Sequence, residues 1–509
     1  MKLPIGIQTF EEIINEDYVY VDKTEHIHRV VTSGKYFFLS RPRRFGKSLL
    51  LSTMKAMYLG QKELFKGLWI ADHWDWEQRY PVLHFRFSSI GFHTLGLAKA
   101  ISSMLKEAAA ELGIELTKEV YDQQFRELIE KASQFGKVVI LIDEYDKPII
   151  DFLEDLEQAK ENRKVLKNFY SVLKDSDPYI KLLFITGVSR FAKTSIFSDL
   201  NNVTNLMLHP LASTLLGITQ QELDQLFSSL ITKLAVEQKI ERGDLISRIK
   251  EWYNGYSWDG KQRVYNPFSL LSFFLSGKFS NFWFGTGTPT FLVKLMRKNK
   301  QYRIENLTVP NSALDSYDLE HLNPTAILFQ TGYLTIKEEL SFDIYKLDYP
   351  NYEVKVSLEE HLLNAFTYDT YQTGKIKALQ IAEAFKAGDI DGVIQIINAT
   401  FATIPNQLWQ KENEAFYHAL IHLTFSLVGV FIQSEINSAT GRLDAKVETG
   451  TAIYVLEFKL DQSADAALQQ IRDRNYFQAY IDSSKEKVGI GINFSTDLKT
   501  VEDYKVQGF

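Results

Sequence analysis

Short apolar runs alternate with amphipathic segments over the first 190 residues of the chain. The runs are rich in β-branched and aromatic residues, which predicts strands, whereas the segments between them carry apolar residues at helical spacing. The predicted strands cover 36–39, 80–89, 137–142 and 180–188, and the predicted helices cover 94–113, 119–136 and 159–175. Strands that alternate with helices indicate an α/β domain built on a parallel sheet.

Two further patterns follow. Residues 216–355 predict helices interrupted by aromatic clusters such as "WYNGYSW" (252–258), which we interpret as core. Near the C-terminus, two strand-like runs within 431–460 flank the turn "ETGT", and the neighbouring patterns predict helices at 412–425 and 466–481 and a strand at 487–495. We therefore predict an α/β domain at 1–215, a helical region at 216–355, a helical connector at 356–404 and a second α/β domain at 405–509.

Composition and charge narrow the class of protein. A chain of 509 residues is too long for one ordinary core, and the absence of cysteine excludes disulfides and thiolate metal sites. The N-terminus turns acidic too early for a signal peptide, and the longest apolar stretch, 419–432, is too short to span a bilayer. We expect a cytoplasmic protein with no membrane partner. The net charge of −7 gives no general attraction for nucleic acid, although a local basic groove would be enough.

The first candidate site follows the first predicted strand. Gly46, Lys47 and Ser48 come between an apolar run and a predicted helix, which is the layout of a phosphate-binding loop. Arg41 stands where such loops usually carry their first glycine. Together with Arg43 and Arg44 it makes this loop the densest cationic spot in the chain. The tripeptide alone is common by chance, so the assignment depends on carboxylates from a neighbouring strand.

Those carboxylates occur about 95 residues further on. Asp143 and Glu144 end a strand that is apolar enough to be buried on both faces, and a later strand ends at Thr186. In a nucleotide site, Ser48 would bind Mg²⁺ directly and Asp143 would hold it through water. Glu144 would orient or deprotonate the attacking water, and Thr186 would sense the γ-phosphate.

This arrangement resembles the additional-strand P-loop ATPases, and more narrowly the bacterial AAA-ATPase-like family. The resemblance is carried by residues 3–24, by "FLSRPRRFGKSLLLSTM" (38–54), by "VILIDEYDKP" (139–148) and by residues 184–202. It implies that ATP and Mg²⁺ bind on the loop from Arg41 through Phe45 to Ser48, with slow hydrolysis, and that "PIGIQTF" lines the adenine side. It also implies a helical or winged-helix-like lid. Arg190 would be a γ-phosphate sensor or a finger in trans in a homo-oligomer, or else an ordinary surface charge.

The C-terminal segment carries a second constellation. Asp444 lies on the first run of the hairpin, and Glu457 and Lys459 lie two residues apart on the second, so both point to one face. This set resembles the PD-(D/E)XK nuclease superfamily and implies a restriction-endonuclease-like α/β domain. Asp444, Glu457 and the Phe458 carbonyl would bind Mg²⁺ or Mn²⁺, and Lys459 would hold the attacking water or the scissile phosphate.

The same resemblance extends to the flanking helices. It assigns Glu414 to an acidic position ahead of the hairpin, and Gln470 and Tyr476 to the helix behind it. Two functions stay open on the sequence. One is an ATPase coupled to a nuclease that cuts DNA or RNA. The other is a nucleotide-gated switch whose nuclease-like domain binds a partner and cuts nothing. The complete Asp444, Glu457 and Lys459 set favours the enzyme, and the negative net charge favours the switch.

Overall fold

The apolar runs near the N-terminus form one parallel sheet in the computed structural model of the protein. The structure describes residues 1–190, 202–283, 290–299, 304–315, 322–369, 371–404, 414–435 and 444–509. Within these ranges the sheet has the order β2-β3-β4-β1-β5. Its strands are β1 Tyr36–Ser40, β2 Val82–Arg86, β3 Val138–Asp143, β4 Ile180–Gly187 and β5 Thr204–Asn205. Strand β4 therefore lies between β1 and β3, which is the additional strand that the resemblance implied.

Helices follow the strands and cover the sheet. The fully buried pattern of β1 and β3 explains their continuous apolar sequence, because both faces of a parallel sheet are covered. The helices of this part are α1 Phe10–Asn15, α2 Thr24–Ser33, α3 Lys47–Tyr58, α4 Phe92–Leu95, α5 Leu97–Glu111, α6 Tyr121–Ala132, α7 Lys147–Ile150 and α8 Leu156–Asp175.

The middle of the chain is helical, as predicted, and also contains a three-stranded antiparallel sheet of order β6-β8-β7 that the sequence did not predict. The strands are β6 Leu307–Pro310, β7 Thr335–Ser341 and β8 Ile344–Asp348. The helices are α9 Gln220–Leu226, α10 Ser228–Gln238, α11 Arg242–Tyr253, α12 Pro267–Ser276, α13 Thr290–Lys298, α14 Ser312–Asp315 and α15 Pro324–Thr331. Most of the aromatic clusters are buried: Tyr253, Tyr256 and Tyr265 are among the largest fully buried side chains.

The C-terminal part forms a five-stranded sheet of order β13-β12-β11-β10-β9, in which only β11 and β12 pair in parallel. The strands are β9 Gln433–Glu435, β10 Ala445–Glu448, β11 Ala452–Leu460, β12 Glu486–Ser495 and β13 Thr500–Gly508. The helices are α16 Tyr352–Phe366, α17 Gly374–Ala387, α18 Ile390–Phe401, α19 Glu414–Val428 and α20 Ala464–Asp473. The predicted hairpin is present, whereas β9 and β13 are additions to the predicted order.

By its contacts the chain divides into two compact units. The first unit is Met1–Leu295 with Ile304–Val354, and the second is Met296–Arg303 with Lys355–Phe509. The parallel sheet and the helical middle region thus share one unit, and the finer division into four segments stays a prediction. No helix in the described ranges combines the length and the apolar character that crossing a membrane requires.

One buried acid makes the stability of the first unit depend on pH. Burial raises the pKa of Glu353 to about 7, although its carboxylate accepts a hydrogen bond from the Trp283 N–H at 2.8 Å. The pKa of Glu353 is higher in the folded than in the unfolded state, so the protonated side chain favours folding. Its contribution to the free energy of unfolding is complete below pH ~4.5 and is lost as pH rises to ~7. We expect Glu353→Gln to raise the free energy of unfolding by about 2–3 kcal/mol at pH 8 and to change little at pH 4. Chemical unfolding at both pH values measures this, and an equal gain at both would contradict it.

Candidate nucleotide and metal sites

A cavity of about 500 Å³ opens beside the carboxyl edge of the parallel sheet. The loop after β1 forms one wall, and the N-terminal segment and the middle region form the others. Residues 4–8, 43–50 and 215–218 line it, together with Glu144 and Asp146 from the end of β3. Part of the lining is apolar, with Ile5, Ile7, Val19, Ile218 and Phe227. An apolar pocket that ends at a cationic loop has the chemical polarity of a nucleotide, with its base at one end and its phosphates at the other.

The loop ends where α3 begins, and its backbone is strongly curved. Gly46 has φ of 91° and Arg44 has φ of 67°, so both are left-handed. Arg41, at the position of the usual first glycine, is not among the residues with positive φ, and an arginine is tolerated there for that reason. Helix geometry leaves the first N–H groups of α3 without partners inside the helix, and such groups can bind an anion.

Lys47 lies inside this loop and is only 7% exposed. Its Nζ donates to the carbonyl oxygens of Arg41 at 2.8 Å and Pro42 at 2.9 Å. Burial lowers its pKa, and the attraction of Asp143, Asp146 and Glu144 opposes that shift. The ammonium is thus held between the loop and the acidic end of β3, where a phosphate and a cation would both lie.

Arg41 has a different place from the one that the sequence suggested. It is 1% exposed, and its guanidinium donates to the carbonyls of Ser40, Met207 and Ala212 at 2.8–2.9 Å. It also lies 3.9 Å from the ring centre of Trp258. Burial lowers its pKa to about 9. This geometry gives Arg41 a structural role in the loop, and its predicted phosphate contact stays a prediction.

The other loop side chains divide into exposed and buried ones. Arg43 and Arg44 are exposed and line the cavity, and Arg44 stacks on Phe268 at 4.5 Å. Phe45 is buried against the rings of Tyr256 and Trp258. Ser48 is half-buried and also lines the cavity. Among the predicted nucleotide contacts, the two exposed arginines, Lys47 and Ser48 therefore lie where a phosphate chain would be.

The acids at the end of β3 are fixed by β4. Thr186 is fully buried, and its Oγ1 donates to Asp143 Oδ1 at 2.7 Å. The hydroxyl therefore orients Asp143, and the predicted contact of Thr186 with a γ-phosphate stays a prediction. Glu144 has φ of 53°, is half-buried and lines the cavity. The backbone turns at Glu144, so Asp143 is buried whereas Glu144 is half-buried and borders the cavity.

Arg190 ends the described part of the segment after β4. It is 5% exposed, its pKa is lowered by burial, and its N–H donates to Gln330 Oε1 at 2.7 Å. The roles of sensor and finger stay predictions. The rest of the quoted 184–202 motif, from residue 191 to 201, lies outside the described residues.

The second constellation is brought together on the C-terminal sheet. The antiparallel register pairs Ala445 with Leu456, which places Asp444 opposite Glu457. The N–H of Phe458 donates to Asp444 Oδ2 at 2.9 Å. Glu457 is 2% exposed, and burial together with the nearby Asp444 raises its pKa to about 7. Its Oε2 is buried with no hydrogen-bond partner among the described residues. Two close carboxylates, one with an orphan oxygen, fit a divalent cation.

Gln470 connects the remaining members of this site. Its Oε1 accepts from Lys459 Nζ at 2.5 Å, and its Nε2 donates to Glu457 Oε1 and lies 3.4 Å from the Tyr476 hydroxyl. One amide thus fixes Lys459 and Glu457 relative to each other, as their two-residue spacing on β11 allows. Glu414 is the first residue of α19, and its side chain lies outside the described part of the chain.

Comparison with known proteins matches both domains to family models. A family described as "Predicted AAA-ATPase" matches residues 4–197, and the PD-(D/E)XK nuclease superfamily matches residues 412–504. A protein of Azotobacter chroococcum mcd 1, described as an uncharacterized protein in the vnfD 5' region, is 37% identical over 526 residues, which cover 99% of each chain. The chain belongs to the AAA-ATPase-like family with a C-terminal PD-(D/E)XK domain. No solved structure matches it. The family resemblance expected from the sequence is confirmed.

The AAA-ATPase-like site contains one acid that the sequence analysis missed. Asp146 is buried, lines the cavity, and accepts from the N–H groups of Val188 and Ser189 at 3.0 and 2.6 Å. Burial raises its pKa to about 6. A Cβ on Gly187 would lie 2.7 Å from Asp146 Oδ1, so the glycine permits this approach. The sequence signal that could have identified Asp146 is that it is the third acid within residues 143–146, at the end of a buried strand.

The lining of the cavity includes a second residue that the sequence analysis missed. Lys23 lines the cavity, and its Nζ donates to both oxygens of Glu222, at 2.6 and 2.8 Å, and to the Thr214 carbonyl at 3.0 Å. Glu222 also belongs to the capping box that begins α9. The ion pair therefore joins the start of α2 to the middle region at the end of the pocket that the N-terminal "PIGIQTF" segment also lines.

Proposed function

We propose that the AAA-ATPase-like domain binds and slowly hydrolyses ATP with Mg²⁺, and that the PD-(D/E)XK domain cuts DNA or RNA with Mg²⁺ or Mn²⁺. For the first domain, the supporting observation is the cavity in which Lys47, the start of α3 and the acidic end of β3 converge. For the second, it is the convergence of Asp444, Glu457 and Lys459 on one sheet face.

In the ATPase site, each residue has a task that follows from its position. Lys47 and the N–H groups at the start of α3 bind the β- and γ-phosphates. Ser48 and Asp143 would hold Mg²⁺, which would neutralise charge on the phosphates when bound. Thr186 keeps Asp143 in one orientation through its 2.7 Å hydrogen bond. Glu144, which borders the cavity, positions the attacking water and accepts its proton.

In the nuclease-like site, Asp444, Glu457 and the carbonyl of Phe458 would hold the cation, which would stabilise negative charge on the scissile phosphate when bound. Lys459 donates protons toward the phosphate or the water, and Gln470 keeps its ammonium close to Glu457. Glu457 must lose its proton to bind the cation, since burial and Asp444 raise its pKa to about 7.

A second candidate is a nucleotide-gated switch whose PD-(D/E)XK domain binds a partner without cutting. Charge favours it, because residues 410–509 contain ten Lys and Arg against fourteen Asp and Glu. An acidic domain attracts a polyanion poorly unless another surface contributes. The complete catalytic set, with a buried acid that has an orphan oxygen, favours the enzyme.

One experiment separates the two candidates. Purified protein is incubated with single- and double-stranded DNA and with RNA, with Mg²⁺, Mn²⁺ or EDTA, and with or without ATP. The enzyme predicts metal-dependent cleavage that changes with ATP and is lost in Lys459→Ala. The switch predicts ATP binding with no cleavage of any substrate. Cleavage that persists in EDTA would point to a contaminant.

A further inference from the structure

Four aromatic residues of the middle region contact the loop after β1. We define the aromatic collar as Tyr256, Trp258, Phe268 and Trp283. Phe45 lies 4.8 Å from the ring of Tyr256 and 5.4 Å from that of Trp258, both edge-on. Arg44 stacks on Phe268, and Trp283 Nε1 donates to the Arg43 carbonyl at 3.2 Å.

The loop and the middle region are also closely packed at their backbones. Gly332 has φ of 93°, and a Cβ there would lie 2.7 Å from the Pro42 ring. Five consecutive loop residues, 41–45, thus contact the middle region. A loop held along its whole length cannot rearrange without moving its surroundings.

Arg41 joins the loop to two other segments of the chain. Its fork reaches two carbonyls after β5, Met207 and Ala212, while its flat face lies on Trp258 of the collar. The described hydrogen bonds of its guanidinium all go to carbonyls. Burying this charge costs more hydration free energy than burying a neutral side chain of the same size would. Arginine suits the place because its planar fork bonds and stacks at the same time, which lysine cannot do.

The same residue also holds the phosphate-binding lysine. The carbonyls of Arg41 and Pro42 accept the hydrogen bonds that Lys47 Nζ donates, at 2.8 and 2.9 Å. The contacts of the Arg41 guanidinium therefore hold in place the backbone carbonyls to which Lys47 donates. Phosphates that draw Lys47 toward themselves act on a backbone that is joined to the collar.

We propose that Arg41 is a positioning residue that replaces the missing first glycine by anchoring the loop on the aromatic collar, so that Lys47 is placed for phosphate and the collar responds to its binding. The proposal rests on ATP being the ligand of this cavity. In this proposal Arg41 positions Lys47 for the phosphates and does not contribute to binding of the base.

The test compares Arg41→Lys, Trp258→Phe and the double variant in the full chain, by calorimetry with ATP–Mg²⁺ and with adenosine. Arg41→Lys keeps the charge and loses the fork and the stack, and we expect it to weaken ATP binding at least tenfold while adenosine binding is unchanged. Trp258→Phe should weaken ATP binding less. The double variant should bind ATP about as Arg41→Lys does, because both changes break one connection. Arg248→Lys is the matched control, since Arg248 stacks on Phe279 at 4.5 Å outside the collar and should leave both affinities unchanged.

The outcomes separate this inference from the proposed function. If wild type binds no ATP, the proposed function fails and the inference with it. If wild type binds ATP and Arg41→Lys binds it equally tightly, the inference is overturned and the ATPase assignment stands. Equal losses of ATP and adenosine affinity would mean that Arg41 only supports the fold, and this result would also overturn the inference. Should Arg41→Lys fail to fold, Trp258→Phe carries the same comparison, and an unchanged ATP affinity there overturns the inference.

Discussion

Replacing Lys47 by alanine is expected to abolish the rise in unfolding temperature that ATP–Mg²⁺ gives the wild type. Lys47 is the cation held inside the loop and attracted by Asp143, Glu144 and Asp146, so its loss leaves the phosphates facing those acids. A ligand at 100 times its Kd stabilises the folded state by about 2.7 kcal/mol, which thermal unfolding detects readily. Lys164→Ala, which removes an exposed lysine from α8, should keep the full shift.

Glu144→Gln is the complementary variant. It removes the base and leaves the phosphate loop and Asp143 in place, so ATP should bind as in wild type while phosphate release falls at least a hundredfold. Thermal unfolding and a phosphate-release assay measure the two effects separately. The phosphate-loop assignment is wrong if Lys47→Ala binds ATP as well as wild type, and the role of Glu144 is wrong if Glu144→Gln turns over normally.

The sheet that carries these residues could be predicted because both of its faces are covered. Such strands appear as continuous apolar runs, and the runs at 36–39 and 137–142 correspond to β1 and β3. Strand β13, Thr500–Gly508, was missed because the consecutive acids Glu502 and Asp503 interrupt the alternation that predicts a strand, and most of its residues are exposed or half-buried. The two-residue β5 is too short for any periodicity. The sheet in the middle region was missed because its strands give a weak pattern: β6 has four residues and ends at Pro310, and β7 contains the charged run 337–339.

Within the sites, spacing predicted which residues would lie near one another, and contacts decided what each one does. Residue type alone made Arg41 a phosphate ligand, yet three carbonyls and Trp258 hold its guanidinium. Thr186 lies at the strand end, as predicted, but bonds to Asp143. The part played by Gln470 depends on the turn of α20 over β11, which sequence spacing does not give.

The second large effect is expected in the PD-(D/E)XK domain. Asp444→Ala and Glu457→Ala should each lose Mn²⁺ binding and all nucleolytic activity, because the two carboxylates face each other across the hairpin and together form the cation site. Lys459→Ala should lose activity at least a hundredfold with metal binding largely kept, since its ammonium contacts Glu457 at 3.5 Å without being a ligand. Calorimetry with Mn²⁺ and the cleavage assay measure the two properties.

Gln470→Ala distinguishes positioning from chemistry in the same site. Its amide holds Lys459 and Glu457 together but brings no charge, so its loss should reduce the cleavage rate about tenfold and weaken Mn²⁺ binding only slightly. Lys505→Ala on β13 removes an exposed lysine that pairs with Asp465 and is the matched control, with both properties expected unchanged. None of these variants should alter ATP binding, because their residues and the nucleotide cavity belong to different units. If wild type binds no Mn²⁺, or if Lys459→Ala cuts as fast as wild type, the nuclease assignment fails and the partner-binding switch becomes the better account.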